Sequence, residues 1–214
     1  MKIIENSYSI LTDLSDAKNT ILKQIEIAAR TCYKSENNIT DDSCLRLCKM
    51  LIDRGHTAML EHSQITVRFI INRAIANEIV RHRIASFAQV STRYCNYSKD
   101  KFGSEITVIA PEELLPENSD NYIMWYNSCK LSEDTYMNLI NNKVKPEIAR
   151  DILPLCLATE LVVTANIRSW RNIFSLRTTV YAHPHMRKLM RKLLDDFKSK
   201  IPVLFDDINY NSDD

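Results

Sequence analysis

RHRIASFAQVSTRY, residues 81–94, is the stretch on which the fold turns. Arg81, His82 and Arg83 lead it, and after seven further residues Ser91, Thr92, Arg93 and Tyr94 close it. Three arginines within thirteen positions, with hydroxyls between them, suit an oxyanion such as phosphate, because guanidinium forks and hydroxyls are the donors that match it. Just upstream, residues 64–71 alternate, with Ile65, Val67, Phe69 and Ile71 on one face, which predicts a half-buried strand. Asn72 can then cap a helix through Arg83, with Ile75, Ala76, Ile79 and Val80 turned inward and Arg81 and His82 in its last turn. Residues 84–99 carry no sustained period and read as a loop rich in functional side chains, Ser86, Gln89 and Tyr97 among them.

Outward from this stretch the chain alternates helices with widely spaced strands. A helix is expected over residues 15–33, with Ser15 as N-cap, and a second begins at Asp41 or Asp42. The second bears the stripe Leu45, Cys48, Leu51 and Ile52 and stops at Gly55, where a left-handed residue is wanted. Strands follow at 105–110 and 159–164, and helices at 121–142, from Pro146 to before Pro154, at 168–178 and over Pro184–Lys200. The expectation is an α/β (α+β) chain, a small sheet packed with helices, forming one domain over residues 1–208 with a polar tail at 209–214.

Composition narrows the function. With 45% hydrophobic residues and 28 Lys+Arg against 27 Asp+Glu, the chain can build a core and carries no global field that would draw it to nucleic acid or an acidic membrane. No apolar run approaches the roughly 18 residues of a membrane span. Gly55 and Gly103 are the only glycines, so neither a P-loop nor a G-x-G-x-x-G turn can be written, and a nucleotide phosphate must rest on arginines, hydroxyls and helix N-termini. Six cysteines without a C-x-x-C pair, after an N-terminus with no apolar signal core, suit a reducing, cytoplasmic setting. His56, Glu61, His62 and His82 match no zinc spacing, so no metal is expected. Cys44 and Cys48, four apart on an apolar face, read as core.

Two further polar clusters, Gly55-His56 with Glu61-His62 and Asn166-Ile167-Arg168 with Arg171, Asn172 and Arg177, complete a recognisable set. Together with R-H-R, seven residues and S, and with Ala149-Arg150 before Pro154, the chain resembles the flavin-dependent thymidylate synthases from about residue 28 to 190. The resemblance implies the thymidylate synthase-complementing protein fold with a mainly antiparallel sheet. It also implies an FAD enzyme that converts dUMP to dTMP with 5,10-methylenetetrahydrofolate and NADPH, as a homotetramer with shared active sites. By the same resemblance Arg81, His82, Arg83, Gln89, Asn166, Arg168 and Asn172 hold the flavin, and His56 lies beside flavin and folate. Glu78, Arg81, Ser91 and Arg93 bind the nucleotide, Arg150 completes the phosphate clamp from another subunit, and Arg177 contacts the uracil ring and favours its N3-ionised form. Val90, Ala58, Tyr181 and His185 depart from the family's usual residues, Val90 standing where an acidic residue is expected.

Overall fold

The computed structural model describes residues 1–99 and 103–210, so the last four residues of the expected polar tail lie outside the described residues. In chain order the elements are β1 (Lys2–Ile4), β2 (Ser7–Ile10), α1 (Lys23–Thr31), α2 (Ser43–Asp53), β3 (Gln64–Asn72), α3 (Arg73–Ile79) and β4 (Ala85–Gln89). There follow β5 (Thr107–Ile109), α4 (Asp120–Asn141), α5 (Pro146–Ala149), β6 (Ala158–Asn166), α6 (Ile167–Arg177), α7 (Pro184–Lys200) and α8 (Pro202–Phe205).

Four strands form one sheet in the order β2-β3-β6-β4, and β1 pairs with β5 in a separate parallel ribbon. The central pair is antiparallel, since Ile167 N–H donates to the Ser63 carbonyl at one end and Arg73 N–H to the Leu157 carbonyl at the other. Ile65, Val67, Phe69 and Ile71 of β3 are all fully buried, as their alternation requires. The mixed architecture around a small antiparallel sheet is the one expected.

By packing, the chain falls into two compact units. One comprises Met1–Ser7, Phe69–Ile79 and Ala88–Leu161; the other comprises Tyr8–Arg68, Val80–Phe87 and the chain from Val162 onward. In the first, Tyr97, Ile106, Val108, Tyr136, Ala149 and Leu157 make the core. In the second, α6 turns Ile167, Trp170, Ile173 and Phe174 inward and α7 contributes the predicted stripe of Met186, Leu189, Met190, Leu193 and Phe197, all buried. Trp170 donates from Nε1 to the Ile65 carbonyl at 2.9 Å, and the rings of Phe174, Phe197 and Phe205 meet edge to face at centroid distances of 5.1 to 5.9 Å.

Several local expectations are corrected. The first helix does not start from a Ser15 cap: Ser15 N–H donates to Asp13 Oδ1, and a wide turn over Lys18–Leu22 precedes α1. Asp16 and Thr20 side chains bond there to neighbouring residues, competing with regular helix hydrogen bonds. Asp42 stands at the N-cap of α2 but makes no cap hydrogen bond; its carboxylate accepts from Lys18 Nζ instead. Asn72 does cap α3, accepting from Ile75 N–H at 2.8 Å, yet the helix ends at Ile79 rather than Arg83. Consequently Arg81 and His82 lie in the connection beyond the helix. That connection must be short because β4 begins at Ala85, inside the segment expected to be a loop. Gly55 takes the left-handed φ of +70° after α2 that its position called for.

Candidate active site

In the first unit the site is built on the turn after β4. Val90 N–H donates to the Glu160 carbonyl of β6, which fixes where the chain leaves the sheet, and Gln89 Nε2 reaches Thr159 Oγ1 at 3.4 Å. The next five residues close a turn in which Tyr94 and Cys95 N–H groups donate to the Ser91 carbonyl, and Arg93 N–H reaches Ser91 Oγ at 3.4 Å. Thr92 is buried, and its Oγ1 accepts from Arg150 Nη1 at 3.3 Å. Arg150 is held by a second bond, from its Nε to the Glu147 carbonyl in α5 at 3.2 Å.

Arg93 lies over the Tyr94 ring at 5.6 Å and 3.9 Å from the Glu147 carboxylate. Ser91, Thr92, Arg93 and Arg150 therefore come together in one chain. Within the chain, the short helix at Pro146 delivers Arg150 to Thr92. Glu147, which sequence reasoning passed over, stands three residues before Arg150 and faces the same cluster. Glu78, on α3 of this unit, is half-buried.

In the second unit the remaining residues gather around α6. Asn166 Oδ1 accepts from Ser169 N–H at 2.8 Å and so caps the helix, a structural role that its place before a helix could have signalled. Arg168 and Asn172 are exposed one turn apart, on the side away from Trp170 and Phe174. Arg168 Nη1 is 2.6 Å from Glu61 Oε1, which joins the Gly55–His62 cluster to the start of α6. His56 is exposed at the turn after Gly55, its backbone N–H donating to the Leu51 carbonyl. A cleft of 480 Å³ in this unit takes Glu61 and His62 into a largely polar lining with Thr12, Asp13 and Gln24.

At the far end of α6, Arg177 donates from Nε to His82 Nε2 at 2.8 Å. His82 is buried, between the exposed Arg81 and Arg83. Burial and the adjacent Arg177 guanidinium push its pKa down from 6.5 to about 4, so the imidazole is neutral at physiological pH. The cysteines present no activated thiolate at Cys44 or Cys48, since burial raises both thiols, Cys48 to about 12. Among the described residues no group of three His, Cys, Asp or Glu side chains is arranged to hold a metal ion, and no helix is long and apolar enough to cross a membrane.

The family described as thymidylate synthase complementing protein matches residues 13–203. Proteins named flavin-dependent thymidylate synthase are similar over most of the chain. The one from Corynebacterium aurimucosum is 30% identical over 86% of this chain and 79% of its own. That from Corynebacterium diphtheriae is 28% identical over 86% and 77%, and that from Pyrococcus furiosus 29% over 78% and 68%. Among solved structures, a UMP/dUMP methylase from Streptomyces cacaoi bound with 5-Br dUMP superposes with a TM-score of 0.75 over 96% of each chain at 20% identity, a likeness of fold.

Proposed function

This chain belongs to the thymidylate synthase complementing protein family, and as an enzyme of the flavin-dependent thymidylate synthase kind we propose that it methylates dUMP at C5 to give dTMP. In this reading FAD is the bound cofactor, 5,10-methylenetetrahydrofolate the carbon donor and NADPH the reductant. The observation that carries it is the cluster of Ser91, Thr92, Arg93 and Arg150, two guanidinium groups and two hydroxyls converging without any glycine-rich turn. That donor set suits a phosphate monoester, the one dianionic group of dUMP. Ser91 serves as a phosphate ligand; no His or Lys stands beside it in the motif to make it a nucleophile. Gln89 and Glu78 flank this cluster in sequence and are assigned to flavin and nucleotide respectively.

The second unit offers the donors that a dinucleotide requires. Arg168 and Asn172 on one exposed face of α6, with Asn166 at its N-terminus, provide cationic and amide groups next to the positive end of the helix dipole. Arg81 and Arg83, both exposed, add two guanidinium groups, and His56 and His82 complete the set. When bound, the reduced flavin supplies the hydride. What the chain's own residues do is position and polarise: Arg177 holds a cation against the pyrimidine N3/O4 edge, where negative charge develops as C5 becomes electron-rich. The exposure of so many of these arginines in a single chain supports a homotetramer in which subunits complete one another's sites. Six free thiols fit a reducing, cytoplasmic location.

The test is anaerobic incubation with FAD, NADPH, methylenetetrahydrofolate and dUMP, followed by nucleotide mass. A product heavier by one methylene unit supports the reading; recovery of unchanged dUMP beside bound flavin refutes it, and a hydroxymethylated product replaces the transferred group.

A further inference from the structure

Arginine carries five N–H donors and no acceptor, so a nitrogen that faces its Nε at hydrogen-bond distance must offer a lone pair. In this protein that nitrogen is His82 Nε2, 2.8 Å from Arg177 Nε. The imidazole proton is thereby assigned to Nδ1, and His82 is a neutral acceptor. The contact joins the last residue of α6 to the turn between α3 and β4, ninety-five residues earlier in the chain.

The backbone beneath Arg177 is already fixed. Thr178 is buried, and both its N–H and its Oγ1 donate to the Phe174 carbonyl, closing the helix firmly. The Arg177 side chain has four torsions and sits at a helix C-terminus, where a cation is drawn toward the terminal carbonyls. A guanidinium that must meet the edge of a flat ring has to be held in both plane and direction. The acceptor at Nε does this, because the guanidinium is planar and one bonded edge sets the direction of the whole group.

We infer that His82 is a positioning residue for the proposed reaction: by accepting from Nε, it orients the Arg177 guanidinium so that its terminal nitrogens meet the pyrimidine. The inference rests on the thymidylate synthase reading of Arg177. It gives His82 a task performed through Arg177, separate from any flavin contact of the Arg81–Arg83 block. Burial matters to it, since a protonated His82 would lose the acceptor and repel the guanidinium.

His82→Gln keeps an oxygen acceptor near the place of Nε2, whereas His82→Leu removes it and retains apolar bulk. Turnover, KM for dUMP, flavin content and melting temperature are measured for both and for the wild type. His82→Leu is expected to lower kcat about 10- to 100-fold, the worth of one hydrogen bond to a charged group. KM should change less than kcat, and the glutamine variant should recover most of the loss. Equal kcat in all three proteins, or equal loss in both variants, overturns the inference, as does a loss of kcat that tracks melting temperature alone.

A second measurement needs no turnover and no variant of His82. In ¹⁵N spectra of histidine-labelled wild type at neutral pH, His82 is expected as the Nδ1-protonated tautomer, and Arg177→Ala should shift its Nε2 resonance. A proton on Nε2 overturns the inference by itself. If the wild type makes no methylated nucleotide while the spectrum shows the expected tautomer, the functional reading has failed and the contact stands without it.

Discussion

Replacing His82 by glutamine should flatten the acid limb of this protein's stability curve. His82 is buried and its pKa is pushed down from 6.5 to about 4 by burial and by Arg177. A folded pKa below the unfolded one means that the unfolded chain binds more protons, so this residue adds nothing above about pH 6.5. Below that point it costs stability as the pH falls, and the cost levels off near pH 4. At pH 5 the unfolded imidazole is almost fully protonated and the folded one about one-tenth so, which corresponds to a cost of about 2 kcal/mol relative to pH 7. Glutamine does not titrate, and the carboxylates common to both proteins cancel in the difference. Urea unfolding of wild type and His82→Gln at pH 7, 6 and 5 should therefore show the stability gap moving by about 2 kcal/mol in favour of the variant. Parallel curves across that range would refute both the neutral state of His82 and its contact with Arg177.

Arg150→Ala should weaken dUMP binding about 10- to 100-fold while leaving the melting temperature close to wild type, because a charge-assisted contact to phosphate is lost from a half-exposed side chain. Equilibrium dialysis with an unchanged Kd would remove Arg150 from the clamp. Asn166→Ala deletes the cap of α6 and should cost about 1 kcal/mol by urea midpoint; no cost would mean that Ser169 N–H finds another acceptor. Phe174→Ala empties a fully buried position in the ring cluster and should cost about 3–5 kcal/mol, and a cost below about 1 kcal/mol would show that the cluster is not core.

How much the sequence discloses depends on which force sets each element. β3 and α7 are legible to the residue or nearly so, because burial on one face writes a clean period of 2 or 3.6 into the chain. β4 is not, since Ala85–Gln89 alternates only between half-buried and exposed positions, and an edge strand gains its hydrogen bonds without an apolar face. The two N-terminal strands, three and four residues long, are hidden for the same reason. The start of α1 escapes a reading by residue type because Asp13 accepts from Ser15, and Asp16 from Asn19 and Thr20, all locally, and such a reading cannot foresee which acceptor wins.

For the site the limit is different. Residue types disclose the ligand class: arginines and hydroxyls without glycines already imply phosphate held by side chains. Partnership is not disclosed. Arg150 meets Thr92 across 58 residues and Arg177 meets His82 across 95, and no period or motif spacing encodes such distances. His82 shows the chemical consequence. Within R-H-R it reads as one more cation at the end of a helix, favoured by the dipole. The helix in fact stops three residues earlier, so that the imidazole is buried, its charge removed, and its lone pair turned toward an arginine that the chain supplies from the end of α6. The same residue type in the same motif thus changes from donor to acceptor once burial is known, and with that change the chemistry open to Arg177 changes too.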